Sequence, residues 1–512
     1  MPVTTSVFPT NRWPAFILGV LLAVAPVLAP AQLPTLGDGS DMTFSAERRL
    51  GDRIAREIYR DPDYIDDPVL AEYVQGIWQP LLAAARARGD LSPEMDGRFA
   101  WEVMLGRDRT VNAFALPGGY LGLHLGLIAV VSSRDELASV MAHELSHVTQ
   151  RHIARSMGKQ NAQSPWMIAA MILGVMAASK NPEAANALIV GGQAVAIQSQ
   201  LNFSRDMERE ADRIGYATMS QAGFEPQGFV TMFDKLQQAA RLNDNGSFPY
   251  LRSHPMTTER MADMQARQQL DARPATPGGQ TMEHAMLVAR ARVFSAPGND
   301  VLHSWLAQAD SATLDRLPLP QQAAALYAAA LVSVKQRAFD KIPGLLSRLG
   351  NLTHSDARAA RLTRLLAAES GLAAGEARRA VALAEAGTGS GTLARPELLL
   401  AAQGLVRLGR SGEAAQRLQS WVSAQPRDAA AWQLLESAYA AQGQTLRAIR
   451  AGAEMRVAQL DYAAALDRFK AAQEWLRQAG PRSEAGEHIE ASIIDARTRQ
   501  VESLLKEQAL ER

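Results

Sequence analysis

The chain has 512 residues, with 53 basic and 53 acidic side chains, nine His and no Cys. The lack of Cys excludes disulfide scaffolds and thiolate metal sites, and the balanced charge argues against nucleic-acid partners and against electrostatic attraction to an anionic membrane. With 47% hydrophobic residues the chain can bury a large core, and its length predicts roughly two to four domains.

The first 31 residues have the pattern of a cleaved secretory signal peptide. An apolar stretch at 13–25 is followed by Ala-Pro-Ala at 29–31, which supplies the small residues that a signal peptidase requires. A retained membrane anchor is the alternative, but this stretch is short against the roughly 20 residues that span a bilayer. We therefore predict residues 1–31 as a signal peptide and the protein as exported.

Two amphipathic helices and a small sheet open the mature chain. Apolar residues recur at helical spacing around residues 50–58 and again around 70–77. Two β-rich runs follow at 99–105 and 110–116, and a Pro-Gly-Gly sequence ends the second. These patterns predict a sheet with few strands.

Two later apolar stretches, Trp166–Ala178 and Ala185–Ile197, are each too short to span a bilayer. A helical hairpin buried in the domain is the simpler interpretation. An element that dips into the membrane or gates substrate access is the alternative.

Residues 271–279 contain two Pro and two Gly and have no apolar periodicity. We therefore predict a first domain at 32–271, a linker at 272–279 and a second domain at 280–512.

The second domain contains a 34-residue repeat. Small residues recur at this interval, at Gly375, Gly409 and Gly443 and at Ala380, Ala414 and Ala448. Such positions suit stacked helical hairpins. The period and the residues Trp432, Leu435 and Tyr439 resemble the tetratricopeptide repeat. An Ala-rich helical bundle is the alternative.

The sequence His143-Glu144-x-x-His147 lies in a predicted helix that begins after Ser133. Its spacing puts both imidazoles on one helix face, where two nitrogens can share one tetrahedral ion. Glu144 is displaced by one residue, so it can reach the open position of the metal without being a ligand. It would take a proton from the attacking water and donate it to the leaving amine.

A catalytic zinc ion needs a third protein ligand, which in a chain without Cys must be His, Asp or Glu. Glu208 is the strongest candidate. The small residues Ala211 and Gly215 on the same face of its helix would let that helix approach the one that carries His143 and His147. Asp212, one turn on, would hydrogen-bond a ligating His ring and fix its orientation. Glu210 points about 200° away and is predicted to be solvated.

Three further His residues lie near these motifs in the sequence or in the predicted site. His124 and His152 are predicted to be structural or exposed, since His152 is five residues past His147 and off the ligand face. His254 lies in a loop, and we predict a role near the site. It would polarise the substrate carbonyl, or it would take the fourth zinc position and keep the enzyme latent. An ordinary surface His is the alternative.

Together these motifs resemble the gluzincin metallopeptidases of family 48 that carry C-terminal tetratricopeptide repeats. The resemblance rests on the segments at 112–119, 143–147, 204–212 and 252–255. It implies a mainly α (α+β) fold. A helical zincin metallopeptidase domain with a small β-sheet would precede an α-solenoid of tetratricopeptide-like repeats.

The resemblance also implies a role for each site residue. His143, His147 and Glu208 would bind one zinc ion per subunit, Glu144 would be the general base and Asp212 a further active-site acid. We add His254 as a predicted catalytic residue. The strand at 112–115 would be the edge along which a substrate backbone adds, with an ordinary sheet edge as the alternative.

Finally, the resemblance implies a periplasmic zinc endopeptidase that promotes assembly of outer-membrane β-barrel proteins and degrades misassembled ones. Its partners would be unfolded or stalled outer-membrane proteins and, through the repeats, the β-barrel assembly machinery. Peripheral contact with the outer membrane would be compatible with this role, and no nucleic acid is expected. The alternative function is a non-proteolytic chaperone or adaptor with a mainly structural zinc site.

Overall fold

The computed structural model describes residues 42–158, 204–241, 247–270, 280–295, 298–387, 392–479 and 485–509. The predicted signal peptide, hairpin and linker lie outside these ranges. Within them the chain is mainly helical with one three-stranded sheet, which confirms the predicted fold class. None of the described helices is long and apolar enough to cross a membrane. The domain boundaries stay a prediction.

The N-terminal part holds the sheet and the helices around it. Its elements are α1 (Phe44–Arg60), α2 (Pro68–Arg88), α3 (Pro93–Arg98), β1 (Glu102–Gly106), β2 (Ala113–Leu116), β3 (Tyr120–His124), α4 (Leu125–Val130), α5 (Arg134–Thr149), α6 (His152–Gly158), α7 (Arg205–Gln221), α8 (Gln227–Arg241), α9 (Tyr250–Ser253) and α10 (Thr258–Leu270). The two helices predicted at the start of the mature chain correspond to α1 and α2.

The sheet has the order β1-β3-β2, with β1 parallel and β2 antiparallel to the central strand. The β-rich runs in the sequence correspond to the two outer strands, and β3 was not predicted. Gly118 and Gly119 adopt φ values of 73° and 87°, which favour Gly, and they turn the chain directly from β2 into β3. Every residue of β3 is buried. The described sheet therefore has β2 as an edge strand.

Helix α5 lies in the centre of the N-terminal core. The Ser133 hydroxyl accepts a hydrogen bond from the Glu136 amide at 3.1 Å and caps the helix as predicted. The helix packs against α2, α7, α8 and β2. Because neighbours cover it on several sides, even its polar residues His143, Glu144 and His147 are buried.

Paired helices form the C-terminal part. They are α11 (Met282–Phe294), α12 (Asn299–Ala309), α13 (Leu319–Lys335), α14 (Ile342–Thr353), α15 (Ala357–Ala373), α16 (Ala377–Glu385), α17 (Arg395–Arg407), α18 (Ser411–Ala424), α19 (Ala429–Ala440), α20 (Thr445–Ala458), α21 (Tyr462–Ala479) and α22 (Ala485–Ala509). From α13 to α22 each helix packs against the next in the chain.

The 34-residue repeat has a conformational explanation. Gly375, Gly409 and Gly443 have φ values of 84°, 75° and 72°, and each lies in the turn between the two helices of a pair. A Cβ at any of the three would have open space around it. Gly therefore recurs at this interval because the turn requires a left-handed backbone conformation. Steric crowding is not the reason.

The C-terminal helices contact the N-terminal part through a row of ion pairs. Arginines of the C-terminal part reach acids at the start of α2 and on β1, in the pairs Arg290–Asp67, Arg361–Glu72, Arg395–Asp66 and Arg427–Glu102. One hydrophobic cluster also contains buried residues from both sides of the predicted linker, from Val69 to Leu366. The two parts are therefore joined by both polar and apolar contacts.

Arg290 is the most buried of these arginines, with 3% of its side chain exposed. It donates two hydrogen bonds to Asp67, at 2.8 and 2.6 Å, one to Glu369 at 2.9 Å and one to the Tyr327 hydroxyl at 3.1 Å. Asp67 also caps α2, since it accepts from the Leu70 amide at 2.9 Å. The guanidinium therefore links the start of α2 to α11, α13 and α15.

We expect Arg290→Ala to lower the free energy of unfolding by about 3–5 kcal/mol, because it leaves the Asp67 carboxylate buried without its cation. Arg358→Ala is the matched control. Arg358 pairs with Glu283 but is 70% exposed, so its removal should cost at most about 1 kcal/mol. Urea unfolding followed by circular dichroism measures both, and equal effects of the two changes would contradict the prediction.

Candidate metal centre and active site

Four buried side chains direct ligand atoms toward one point. They are His143, His147, Glu208 and His254, whose ligand atoms all lie within 4.8 Å of one another. Helix α5 supplies the first two, α7 supplies the carboxylate, and the residue after α9 supplies the last. No other group of at least three such donors occurs within the described ranges.

The spacing of these donors fits a tetrahedral zinc ion. Ligands that lie 2.0–2.1 Å from a tetrahedral zinc are about 3.3–3.4 Å from each other. The Nε2 atoms of His143 and His147 are 3.0 Å apart, and they lie 3.5 and 3.4 Å from the Glu208 oxygens. His254 Nδ1 lies 3.3 Å from His143 Nε2 and 3.0 Å from Glu208 Oε1. All five distances are close to the tetrahedral value.

The local charge also fits a divalent cation. The carboxylates of Glu144, Glu208 and Asp212 are buried in this group together with one guanidinium, that of Arg260. With neutral imidazoles the group has two negative charges in excess. Burial alone would lower the pKa of His143, but the carboxylates of Asp212 and Glu208 have the larger, opposite effect and raise it to about 9. The site therefore favours positive charge at the point where the donors meet.

Glu144 is held from the sheet side. The Ala115 amide of edge strand β2 donates to its Oε2 at 2.9 Å. Its Oε1 makes no hydrogen bond within the described residues and lies 3.4 Å from His254 Nε2. The carboxylate thus has one oxygen fixed by the backbone and the other beside the metal donors, where a proton would be exchanged.

Asp212 lies behind His143, with its Oδ1 2.9 Å from the ring Nδ1. It is also bound by Arg260 through two hydrogen bonds of 2.6 and 2.7 Å, and the same guanidinium lies 2.9 Å from Glu208 Oε2. Burial raises the pKa of Asp212, but Arg260 outweighs it and lowers the value below its usual range. The carboxylate therefore stays ionised beside the ligating ring.

Arg260 was not among the residues predicted from the sequence. The residue lies on α10, where the helical pattern around it is mostly polar, so nothing marks it as buried. Charge balance is the signal that could have found it. Three carboxylates predicted around one zinc ion leave a negative excess, and a nearby Arg is the residue type that can pair two of them at once.

The predicted neighbours of the motif also differ from expectation in part. His124 is buried and its Nδ1 lies 3.0 Å from the Thr110 hydroxyl, which is a structural position. His152 is fully buried and lies beside His147. Glu210 is not freely solvated, because its carboxylate lies 2.9 Å from His152 Nε2 and accepts from Arg155 at 2.8 Å.

Comparison with known proteins places these residues in a family context. Residues 72–268 match the model of peptidase family M48, a segment that contains every donor of the buried group. The putative beta-barrel assembly-enhancing protease of Vibrio cholerae is 35% identical over 353 residues, which cover 67% of this chain and 68% of that protein. The beta-barrel assembly-enhancing protease of Escherichia coli is 30% identical over 345 residues, 65% of this chain and 67% of that protein.

A more distant relative is the mitochondrial metalloendopeptidase OMA1 of Saccharomyces cerevisiae. It is 27% identical over 197 residues, which cover 37% of this chain and 54% of that protein. Its name, like those of the bacterial relatives, is that of a protease. The similarity therefore centres on proteolysis.

Close contact between α5 and α7 positions the metal donors, and Gly215 makes it possible. A Cβ at Gly215 would lie 3.1 Å from the backbone of Ala142 and His143. We expect Gly215→Val to push α7 away from α5, to reduce zinc content well below one ion per chain and to destabilise the protein by about 1–3 kcal/mol.

Gly350→Val is the control for this change. Gly350 is also inside a helix, but a Cβ there meets no atom within 4 Å. It carries the same change in helix propensity without the overlap. Metal analysis and urea unfolding compare the two, and full zinc content in Gly215→Val would contradict the prediction.

Proposed function

Since the chain belongs to peptidase family M48 and is therefore a metallopeptidase, we propose that it is a periplasmic zinc endopeptidase that acts on outer-membrane β-barrel proteins. His143, His147 and Glu208 would hold the zinc ion. The observation that carries the proposal is the buried convergence of these donors beside Glu144. Zinc, when bound, supplies Lewis-acid chemistry at the scissile carbonyl and makes water more acidic.

Glu144 performs the proton transfers in this proposal. Its carboxylate accepts the proton of the attacking water and then delivers it to the nitrogen of the leaving amine. The Ala115 amide holds Oε2 at 2.9 Å, so the side chain keeps one orientation while Oε1 does the exchange. A structural zinc site has no use for a buried carboxylate beside its ligands, and this favours an enzyme over the adaptor alternative.

The proposed substrate path follows the edge of the sheet. Strand β2 pairs with β3 along one side, and on the other side its Ala115 amide points to Glu144. A substrate backbone that added along this side would lie next to the catalytic carboxylate, and main-chain pairing would accept many sequences. Just before β2, Val111 makes backbone hydrogen bonds of this kind within the protein. Its amide donates to the Ser247 carbonyl, and its carbonyl accepts from the Tyr250 amide.

His254 has two roles compatible with this site. As a catalytic residue its ring would polarise the substrate carbonyl. As a fourth donor it would close the coordination sphere and keep the enzyme latent. Its Nδ1 lies 3.0 Å from Glu208 Oε1 and 3.3 Å from His143 Nε2, and this position among the donors supports latency.

The substrate class and compartment are proposed from the relatives. The bacterial relatives are named for enhancing β-barrel assembly, and the predicted signal peptide would bring this chain to the periplasm. There it would promote the assembly of outer-membrane proteins and degrade those that stall. The paired helices of the C-terminal part would recruit the substrates or the β-barrel assembly machinery.

We expect Glu144→Gln to bind zinc normally and to lose cleavage of an unfolded outer-membrane protein by about 10²–10⁴-fold, because the amide cannot accept the proton. Glu259→Gln is the control, since this exposed residue pairs with Arg209 on the surface. Zinc content and cleavage rate are measured on both. Retained cleavage in zinc-loaded Glu144→Gln would refute the mechanism.

For His254→Ala we expect several-fold higher basal proteolysis, because a donor that competes with substrate for the metal is removed. Arg252→Ala, an exposed residue in the same segment, serves as the control. A lost rate with zinc still bound would instead assign His254 to catalysis. An unchanged rate would exclude both roles.

A further inference from the structure

A chain of hydrogen-bonding groups runs from His147 away from the proposed metal position. The Nδ1 atoms of His147 and His152 are 2.8 Å apart. On the other side of its ring, His152 Nε2 lies 2.9 Å from Glu210 Oε2, and Arg155 donates to the same oxygen at 2.8 Å. His152 is 0% exposed. Neither His152 nor Glu210 belongs to the four-donor group or touches the position of the reacting atoms.

This arrangement depends on a break between α5 and α6. In a continuous helix a residue five positions after His147 would lie about 140° around the axis and could not face it. Arg151 has φ 53°, a left-handed conformation that ends α5 and turns His152 back beneath His147. This conformation is unfavourable for a residue other than Gly and persists only where the surrounding structure holds it.

The surroundings do hold Arg151. Its Nε donates to Glu47 Oε2 at 2.9 Å, its Nη2 donates to the Met42 carbonyl, and its guanidinium lies 4.5 Å from the centre of the Phe44 ring. Three contacts to the start of α1 therefore fix the residue whose conformation brings His152 to His147. The left-handed turn at Arg151 and the contacts that hold it therefore lie where the His152 ring meets the proposed ligand His147.

The Glu210 carboxylate, at the end of this row of hydrogen-bonding groups, determines which ring nitrogens of His152 and His147 carry protons. An ionised carboxylate only accepts, so Glu210 requires a proton on His152 Nε2. The neutral His152 ring then has a lone pair on Nδ1, and across 2.8 Å it can only accept from His147 Nδ1. That places the single proton of a neutral His147 on Nδ1 and leaves the Nε2 lone pair directed at the other donors.

We infer that His152 and Glu210 are positioning residues that fix the tautomer and ring orientation of His147 for metal binding. The inference rests on the proposed function, in which His147 is a zinc ligand. It gives both histidines of α5 a carboxylate from α7. Asp212 reaches His143 directly, at 2.9 Å, whereas Glu210 reaches His147 through a second imidazole.

Zinc affinity of the purified full chain tests this inference, measured by competition with a chromogenic chelator. We expect His152→Leu, which removes the acceptor and keeps apolar bulk, to weaken zinc binding about 10- to 100-fold. His152→Asn should stay close to wild type, because its side-chain oxygen can take the place of the ring Nδ1 as acceptor. The absorption spectrum of the Co²⁺-substituted protein reports the ligand geometry independently of activity.

His124→Leu is the matched control, since it removes another buried His that lies outside the donor group, and it should leave zinc affinity unchanged. Wild-type affinity in His152→Leu would overturn the inference. So would an equal loss in His152→Asn, because this variant keeps an acceptor and the hydrogen bond would then not be what determines the affinity. If wild type bound no zinc, or if His147→Ala did not weaken binding, the proposed function itself would fail.

Discussion

The close packing of α7 on α5 is the contact on which the site depends. Helix α5 carries only two of the four donors, His143 and His147, so the coordination of an ion cannot be completed within this helix. Gly215 allows the two backbones to approach until a Cβ would lie 3.1 Å from Ala142. This approach brings Glu208 to the donors and Asp212 to the ring of His143.

Burial of so many acids requires compensation from several directions. Burial raises the pKa of Glu208, yet His254 and His143 outweigh that effect and hold the value well below its usual range. Arg260 pairs with both Glu208 and Asp212 and packs over Phe233, with 5.1 Å from its guanidinium carbon to the ring centre. When the imidazoles are neutral, as metal ligands must be, the three carboxylates and Arg260 leave two negative charges, which a bound divalent cation would neutralise.

Local patterns predicted much of this molecule. Spacing alone put His143 and His147 on one helix face, and the cap at Ser133 and the repeat glycines are short-range signals with direct conformational causes. Strand β3 was missed because both its faces are buried, so it shows no alternation of apolar and polar residues. The environment of His152 could not be predicted because it depends on the conformation of Arg151, a residue type that rarely adopts positive φ.

The C-terminal helices also support edge strand β2 of the sheet. Leu460, in the turn before α21, has φ 60° and is buried in one cluster with Leu116 and Tyr120. Leu116 follows Ala115, whose amide holds Glu144. Next to Leu460, Asp461 pairs with Arg60 of α1 at 3.1 Å. A left-handed Leu costs about 1–2 kcal/mol, and contacts between the two parts of the chain offset this cost. The packing that joins the C-terminal helices to the sheet therefore also supports the strand whose amide holds Glu144.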